Sequence, residues 1–318
     1  MVREWPGGER STLRLHAVSE NATFTVDGPA GRRILRVHRR GYNNPAAIES
    51  ELTWLDAVRA EAGVRTPAVV AASDGRRVVE GADDGTGRTR SCVMFEHLPG
   101  RAPGPDPGTF EDLGRITARL HDHARRWSPP ARFTRFRWDL DTTVGPGGRW
   151  GRWQHSPGVG PPERALLGRL AAVLRARLGA YGRGEERVGL IHADLRPANL
   201  LVEDGGAINV IDFDDCGYGW LLYDLAAALS FIEDDPAGPE RIARWLTGYR
   251  SIRDLAPDDE AEIWTLILLR RLLLLAWIGT HPVSAEARRL GPGFAAGTCE
   301  LAEGYLRTHP APGGHGRT

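Results

Sequence analysis

Leu13 to Val18, Ala22 to Val26 and Arg33 to Val37 are short, largely apolar runs that read as three strands. The connections Ser19-Glu20-Asn21 and Asp27 to Gly31 are short, so the three strands follow one another antiparallel. The pattern then changes. From Pro45 to Ala62, apolar residues recur at Ile48, Leu52, Leu55 and Val58, one face of a helix entered through Asn44-Pro45. Val64 to Ala72, Arg76 to Val79 and Ser91 to Phe95 return to strand character, with the Gly- and Asp-rich Gly81 to Arg90 as a hairpin tip. At CVMFEHLPGR, strand gives way to a Pro/Gly linker. Beyond it the helical period dominates, over Thr109 to Arg125, Glu163 to Tyr181, Leu221 to Ile232, Pro239 to Tyr249, Asp258 to Thr280 and Ala285 to Leu306. Trp127 to Pro162 has no period and reads as an insertion. The order predicts an α+β fold. Residues 1–97 form an N-terminal antiparallel sheet lobe with one main helix, and residues 98–318 a mostly helical C-terminal lobe.

The chemistry concentrates between Gly189 and Ala228, GLIHADLRPANLLVEDGGAINVIDFDDCGYGWLLYDLAAA. His192, Asp194 and Asn199 form an H-x-D-x-x-x-x-N loop. Two short apolar runs follow, Asn199 to Val202 and Ala207 to Ile211, joined by Glu203-Asp204-Gly205-Gly206. Strands joined so tightly bring Asn199 close to Asp212. These three side chains are the polar end of a kinase site. Asp194 can accept a hydroxyl proton, while Asn199 and Asp212 can offer oxygens to a metal that carries nucleotide phosphates. Arg196, two residues after Asp194, is a candidate to stabilise the transferring group, because a guanidinium fork suits phosphate oxygens. His192 reads as a packing residue of the loop, and His121 as a packing or hydrogen-bonding one.

HADLRPANLLV followed by NVIDFDDCGYGWLLYDLA resembles the aminoglycoside phosphotransferase family, nearest its branch of stress-response kinase A and homoserine-kinase-like enzymes. The likeness runs from Glu20 to Leu306. It implies a bilobal protein-kinase-like fold, ATP and Mg2+ as cofactors, and a small-molecule hydroxyl acceptor. It further implies that SENAT covers the phosphates through Ser19, Asn21 and Thr23, although an ordinary hairpin turn would look the same. Arg36 then stands where kinases carry the lysine that holds the α and β phosphates, with Glu51 as its partner. A solvated strand arginine and a surface glutamate are the plainer readings of those two. At the linker, the positions that match the family's adenine contacts are Glu96, His97 and Leu98. Met94 either flanks the base or packs in the core. Asp224 resembles the aspartate that braces the catalytic loop from behind.

Composition narrows the picture. Lys and Arg together number 41, balanced by 41 Asp and Glu, so no basic footprint points to nucleic acid or an anionic membrane. All of the former are arginine, and the lysine usual at a kinase phosphate site cannot be present. Cys92, Cys216 and Cys299 are too scattered for a disulfide framework or a zinc site and read as reduced thiols of a cytoplasmic protein. Met1 to Arg14 lacks the basic-then-apolar form of a leader. The apolar run Ile263 to Ile278 carries Arg270 and Arg271 at its centre and is expected to be a buried helix. The leading reading is therefore an ATP-dependent O-phosphotransferase. A serine/threonine protein kinase of the stress-response type and a non-catalytic nucleotide-binding module are the alternatives. Against the protein kinase stands the short interval DFDDCGYGWLLYD, which leaves no room for a peptide-binding activation segment.

Overall fold

The computed structural model describes residues 2–18, 21–82 and 88–309. The first part of the chain runs β1 Thr12–Val18, β2 Ala22–Gly28, β3 Gly31–Val37, α1 Pro45–Glu61, β4 Val69–Val70, β5 Val79–Ala82 and β6 Thr89–Glu96. There follow α2 Pro107–Arg126, β7 Arg137–Trp138, α3 Leu140–Thr143, α4 Pro161–Tyr181, β8 Val188–Ile191, β9 Leu200–Val202, β10 Ile208–Val210 and β11 Gly217–Trp220. Helices complete it: α5 Tyr223–Ala228, α6 Gly238–Arg250, α7 Pro257–Glu260, α8 Ile263–Thr280, α9 Ala285–Leu290 and α10 Gly293–Thr308. The architecture is α+β, an antiparallel sheet region followed by a mostly helical one.

The chain divides into two compact units. The first comprises residues 1–103, 127–135 and 198–214, and the second residues 104–126, 136–197 and 215–318. In the first unit the sheet order is β1-β2-β3-β6-β4, with β5 also on β6 and all neighbours antiparallel. Its core packs Val26, Leu35, Val79, Cys92 and Met94 with Val2 and Trp5. Helix α1 starts where Asn44 accepts a hydrogen bond from the N–H of Ala47 at 2.8 Å, the side-chain cap that Asn supplies best. It buries Ile48, Leu52, Trp54, Leu55 and Val58. The β9–β10 hairpin belongs to this unit too, bridged to Arg65 and Arg101.

The second unit is mostly helical, with the small sheet β7-β11-β8. Helices α2 and α6 cross closely because Gly114 and Gly248 lie at the contact: a Cβ on Gly114 would stand 2.0 Å from the carbonyl oxygen of Trp245. By length and composition the stretch Pro257–Thr280 could cross a membrane, yet 83% of its most apolar window is buried in the fold.

Three expected helices are interrupted. The one predicted from Leu221 ends at Ala228, since Phe231 takes a left-handed backbone at φ 71°. That from Asp258 splits between α7 and α8, and that from Ala285 breaks at Gly291, φ 49°, followed by Pro292. Within the irregular Trp127 to Pro162, the side chains of Trp138, Trp150 and Trp153 are buried. Of the expected hairpin tip, residues 83–87 lie outside the described residues, as do Ser19 and Glu20.

Candidate active site

In the first unit, β3 and α1 bring Arg36 and Glu51 together, with Nη2 of the arginine 2.5 Å from Oε1 of the glutamate. Arg36 pairs in register with Thr23 and Val93, and its guanidinium lies 5.0 Å over the Phe95 ring. Burial opposes its charge, but Glu51, Asp214 and Asp212 more than offset that and hold it above its ordinary value. The Glu51 carboxyl is pushed up by burial, with Arg36 opposing. Nε of Arg36 and Oε2 of Glu51 are buried without a hydrogen-bond partner. An orphaned guanidinium donor is what a phosphate oxygen would satisfy.

The β9–β10 hairpin pairs Leu200 with Val210, and the N–H of Ile211 donates to the Asn199 carbonyl at 3.0 Å. That register sets Asn199 beside the end of the strand that delivers Asp212. Asp212 has a left-handed backbone, φ 67°, uncommon for a residue with a side chain. Its Oδ1 lies 3.5 Å from Nη1 of Arg36, and its side chain is 42% exposed. Among the described residues no group of three His, Cys, Asp or Glu side chains could hold a metal by itself. One carboxylate and one amide oxygen fit a hard cation that takes its other ligands from phosphates and water.

Asp214 makes a different use of its carboxylate. Asn21, in the β1–β2 turn, donates from Nδ2 to Asp214 Oδ2 at 2.5 Å and accepts from the N–H of Arg39 at 3.0 Å. The Asp214 carbonyl accepts from Asn43 at 3.1 Å and from Arg135. Phe213 packs edge-on against Trp54 of α1, 5.5 Å between centroids. Of the other nucleotide candidates, Met94 lies in the sheet core at 1% exposure, Thr23 and Leu98 are half-buried, and Glu96 is exposed.

In the second unit the loop after β8 carries His192, Ala193, Asp194 and Arg196. Ala193 takes a left-handed backbone, φ 65°, a strain of about 1–3 kcal/mol that its surroundings must over-determine. They do so from two directions. Buried Asp224, at the start of α5, accepts from the N–H groups of His192 at 3.1 Å and Ala193 at 2.6 Å. Asp224 is itself met by His121 Nε2 at 3.1 Å, and Tyr249 Oη lies 3.0 Å from Nδ1 of the same ring. From the other side, Arg270 of α8 donates to the Ala193 carbonyl at 3.0 Å and to Asp194 Oδ1 at 2.8 Å. Arg196 Nε lies 3.4 Å from Asp194 Oδ2.

From the sequence, none of Arg270, Asn43, Arg135, Trp138 and Trp150 was assigned to the site. Arg270 had a signal, a charge at the centre of an apolar helix that needs a buried partner. Asn43 and Arg135 had none, lying in irregular segments.

A sheet with a buried Arg–Glu pair, an Asn/Asp hairpin and a braced H-x-D loop define a kinase-like phosphotransferase. The profile of the phosphotransferase enzyme family matches residues 12–260, and the chain belongs to that family. It is similar to the microcompartment-associated aminopropanol kinase, at 48% identity and a TM-score of 0.90, over 96% of this chain and 95% of that one. A homoserine kinase of Gluconobacter oxydans is 29% identical over 288 residues, 86% of this chain and 84% of the relative. An amicoumacin kinase of Bacillus subtilis is 24% identical over 306 residues, 91% and 87% respectively. The fold is thus protein-kinase-like, and the chain is an ATP-dependent kinase of small molecules.

Proposed function

We propose that the chain moves the γ-phosphate of ATP to the hydroxyl of a short amino alcohol of the aminopropanol class. The observation that carries this is the 48% identity to aminopropanol kinase across 96% of the chain, joined to the H-x-D loop of this chain. In this reading residues 1–97 bind nucleotide and residues 98–318 supply catalysis and the acceptor site, in the cytoplasm. Arg36, oriented by Glu51, grips the phosphates, and Ser19 and Asn21, with Thr23 at the start of β2, cover them. Glu96 and Leu98 meet adenine at the linker, with Met94 behind. Asn199 and Asp212 hold Mg2+, which when bound neutralises phosphate charge.

Asp194 accepts a hydrogen bond from the acceptor hydroxyl and takes its proton as the new O–P bond forms and the bond to the ADP oxygen breaks. Arg196 turns its guanidinium to the oxygens of the group in transit. Only 11 residues separate Asp212 from Asp224, which favours a small acceptor over a peptide. The test is a coupled ADP-release assay with aminopropanol, ethanolamine, homoserine, an aminoglycoside and an unstructured protein. The amino alcohols are expected to exceed homoserine in kcat/KM by ~10²-fold, the scale on which a pocket rejects an analogue that carries one added group. Efficient turnover of homoserine or protein, with none of an amino alcohol, would overturn the assignment.

A further inference from the structure

Arg270 and Arg271 are neighbours on α8 and equally buried, each 1% exposed, but they face different partners. Arg271 is tied to Glu233, Asp234 and Thr298 and stacks on Phe294. None of these lies in the H-x-D loop. Arg270 spends its fork on that loop: Nη2 to Asp194 Oδ1 at 2.8 Å and Nη1 to the Ala193 carbonyl at 3.0 Å. Its remaining contacts fix its own pose, with Nη1 3.3 Å from Tyr223 Oη and Nε 3.2 Å from Ser230 Oγ. The guanidinium carbon lies 5.1 Å from the centroid of the Trp150 ring and 5.6 Å from that of Tyr223. Trp138 in turn stacks on Tyr223 at 5.9 Å and donates to the Asp215 carbonyl at 2.8 Å. Burial acts against the charge of Arg270, yet Tyr223, Asp194 and Asp215 more than offset it and hold it above its ordinary value.

Asp194 thus meets one arginine on each oxygen, and the two differ in freedom. Arg270 is locked in the core, whereas the Arg196 side chain is 32% exposed and lies 5.9 Å from the Phe231 ring centroid. We propose that Arg270 is a positioning residue of the transfer, which fixes the Asp194 carboxylate and the strained peptide before it so that Arg196 can leave Asp194 for the phosphoryl oxygens. This rests on the reading of Asp194 as the proton acceptor. A lysine could not replace it, since a single ammonium cannot span carboxylate, carbonyl, phenol and hydroxyl in one plane.

The test is a double-mutant cycle on the full chain. Arg270→Met and Arg270→Lys are each made alone and in Asp194→Asn, with Arg271→Lys as a control for disturbing a buried ion pair in the same helix. In the otherwise native chain, each Arg270 variant is expected to lose ~10- to 100-fold in kcat, with the Kd for MgATP within about twofold, because binding and chemistry separate in this way. In Asp194→Asn the same substitutions are expected to cost less than about threefold more, and Arg271→Lys to retain kcat. Should Arg270→Met fail to fold, Arg270→Lys, which keeps the buried charge, reports the same cycle. Equal losses in both backgrounds, or a folded Arg270→Lys with native kcat, would overturn the proposal. Near-native turnover in Asp194→Asn alone would instead remove the base assignment on which it rests.

Discussion

Arg36 and Arg270 are both nearly inaccessible, at 5% and 1% exposure, and each grips a carboxylate. The carboxylates differ. The Glu51 side chain is 1% exposed, whereas that of Asp194 is 17% exposed. A carboxylate with no route to solvent can serve only its arginine: it balances a charge that would otherwise be costly to bury and aims it. At Asp194 the relation is reversed. The arginine is the buried member and the carboxylate is the one that solvent reaches, so the cation orients the acid. One motif, a buried guanidinium on a carboxylate, therefore supports opposite roles, and exposure of the acid decides which.

The largest expected effect breaks the second pair. Asp194→Asn keeps the shape and removes the acceptor of the proton, so turnover should fall at least ~10²-fold, the usual scale for a positioned acid or base. Affinity for MgATP should stay near native. Single-turnover kinetics and nucleotide titration separate the two, and native turnover in a folded variant would contradict the assignment.

Breaking the first pair should act on binding and stability together. Arg36→Met is expected to weaken MgATP by ~10- to 100-fold, while adenosine, which lacks phosphates, binds as before. It also strands Glu51, at a cost of about 3–5 kcal/mol. Burial already raises the Glu51 carboxyl above its ordinary 4.5 against the pull of Arg36. Without the arginine it rises further, so Glu51 binds more protons folded than unfolded. The variant should then be most stable below the ordinary value and lose stability as pH rises through the folded one. Adding Glu51→Leu should restore much of the stability and none of the affinity. Recovery of both would make the pair merely structural.

A smaller effect sharpens the contrast between the two arginines on Asp194. Arg196→Ala should lower kcat by about tenfold, the scale of one charge-assisted hydrogen bond, without changing urea stability. A loss of stability comparable to that in Arg270→Met would show that both arginines hold the loop.

The H-x-D loop and its hairpin were legible because the information is local: two short runs joined by Glu203 to Gly206 have one economical pairing, and it sets Asn199 beside the end of the strand leading to Asp212. Glu51 was legible from its helical phase beside the apolar stripe of α1, and Arg36 from its place between Leu35 and Val37 together with the family likeness. What lies outside is non-local or conformational. Arg270 reaches Asp194 across 76 positions, and its phase on an almost wholly apolar helix gives no facing. The left-handed backbones at Ala193, Asp212 and Phe231 carry no glycine to announce them, and the one at Phe231 ended a helix that the apolar pattern continued through. By contrast Gly291-Pro292 was a visible breaker that the apolar spacing over Ala285 to Leu306 overrode.

The smallest effect contrasts the main helices of the two units by their caps. Asn44 caps α1 with a neutral amide oxygen on the N–H of Ala47. Asp106 accepts from the N–H and hydroxyl of Thr109, both at 3.0 Å, at the start of α2. Replacing either by Ala should cost about 1 kcal/mol at neutral pH. Only the second is titratable. The backbone hydrogen bond from Thr109, with its hydroxyl, holds the Asp106 carboxyl below its ordinary 3.8 despite some burial. A depressed folded value means stability that is present above the ordinary value and lost as pH falls through the folded one. The cost of Asp106→Ala, read from urea midpoints, should therefore shrink toward zero at the lowest pH the fold tolerates, while that of Asn44→Ala stays constant. Asp106→Asn separates charge from geometry, because an amide can keep the cap while removing its titration. A cost for Asp106→Ala that does not change with pH would mean that the carboxylate contributes packing at the helix start and no cap.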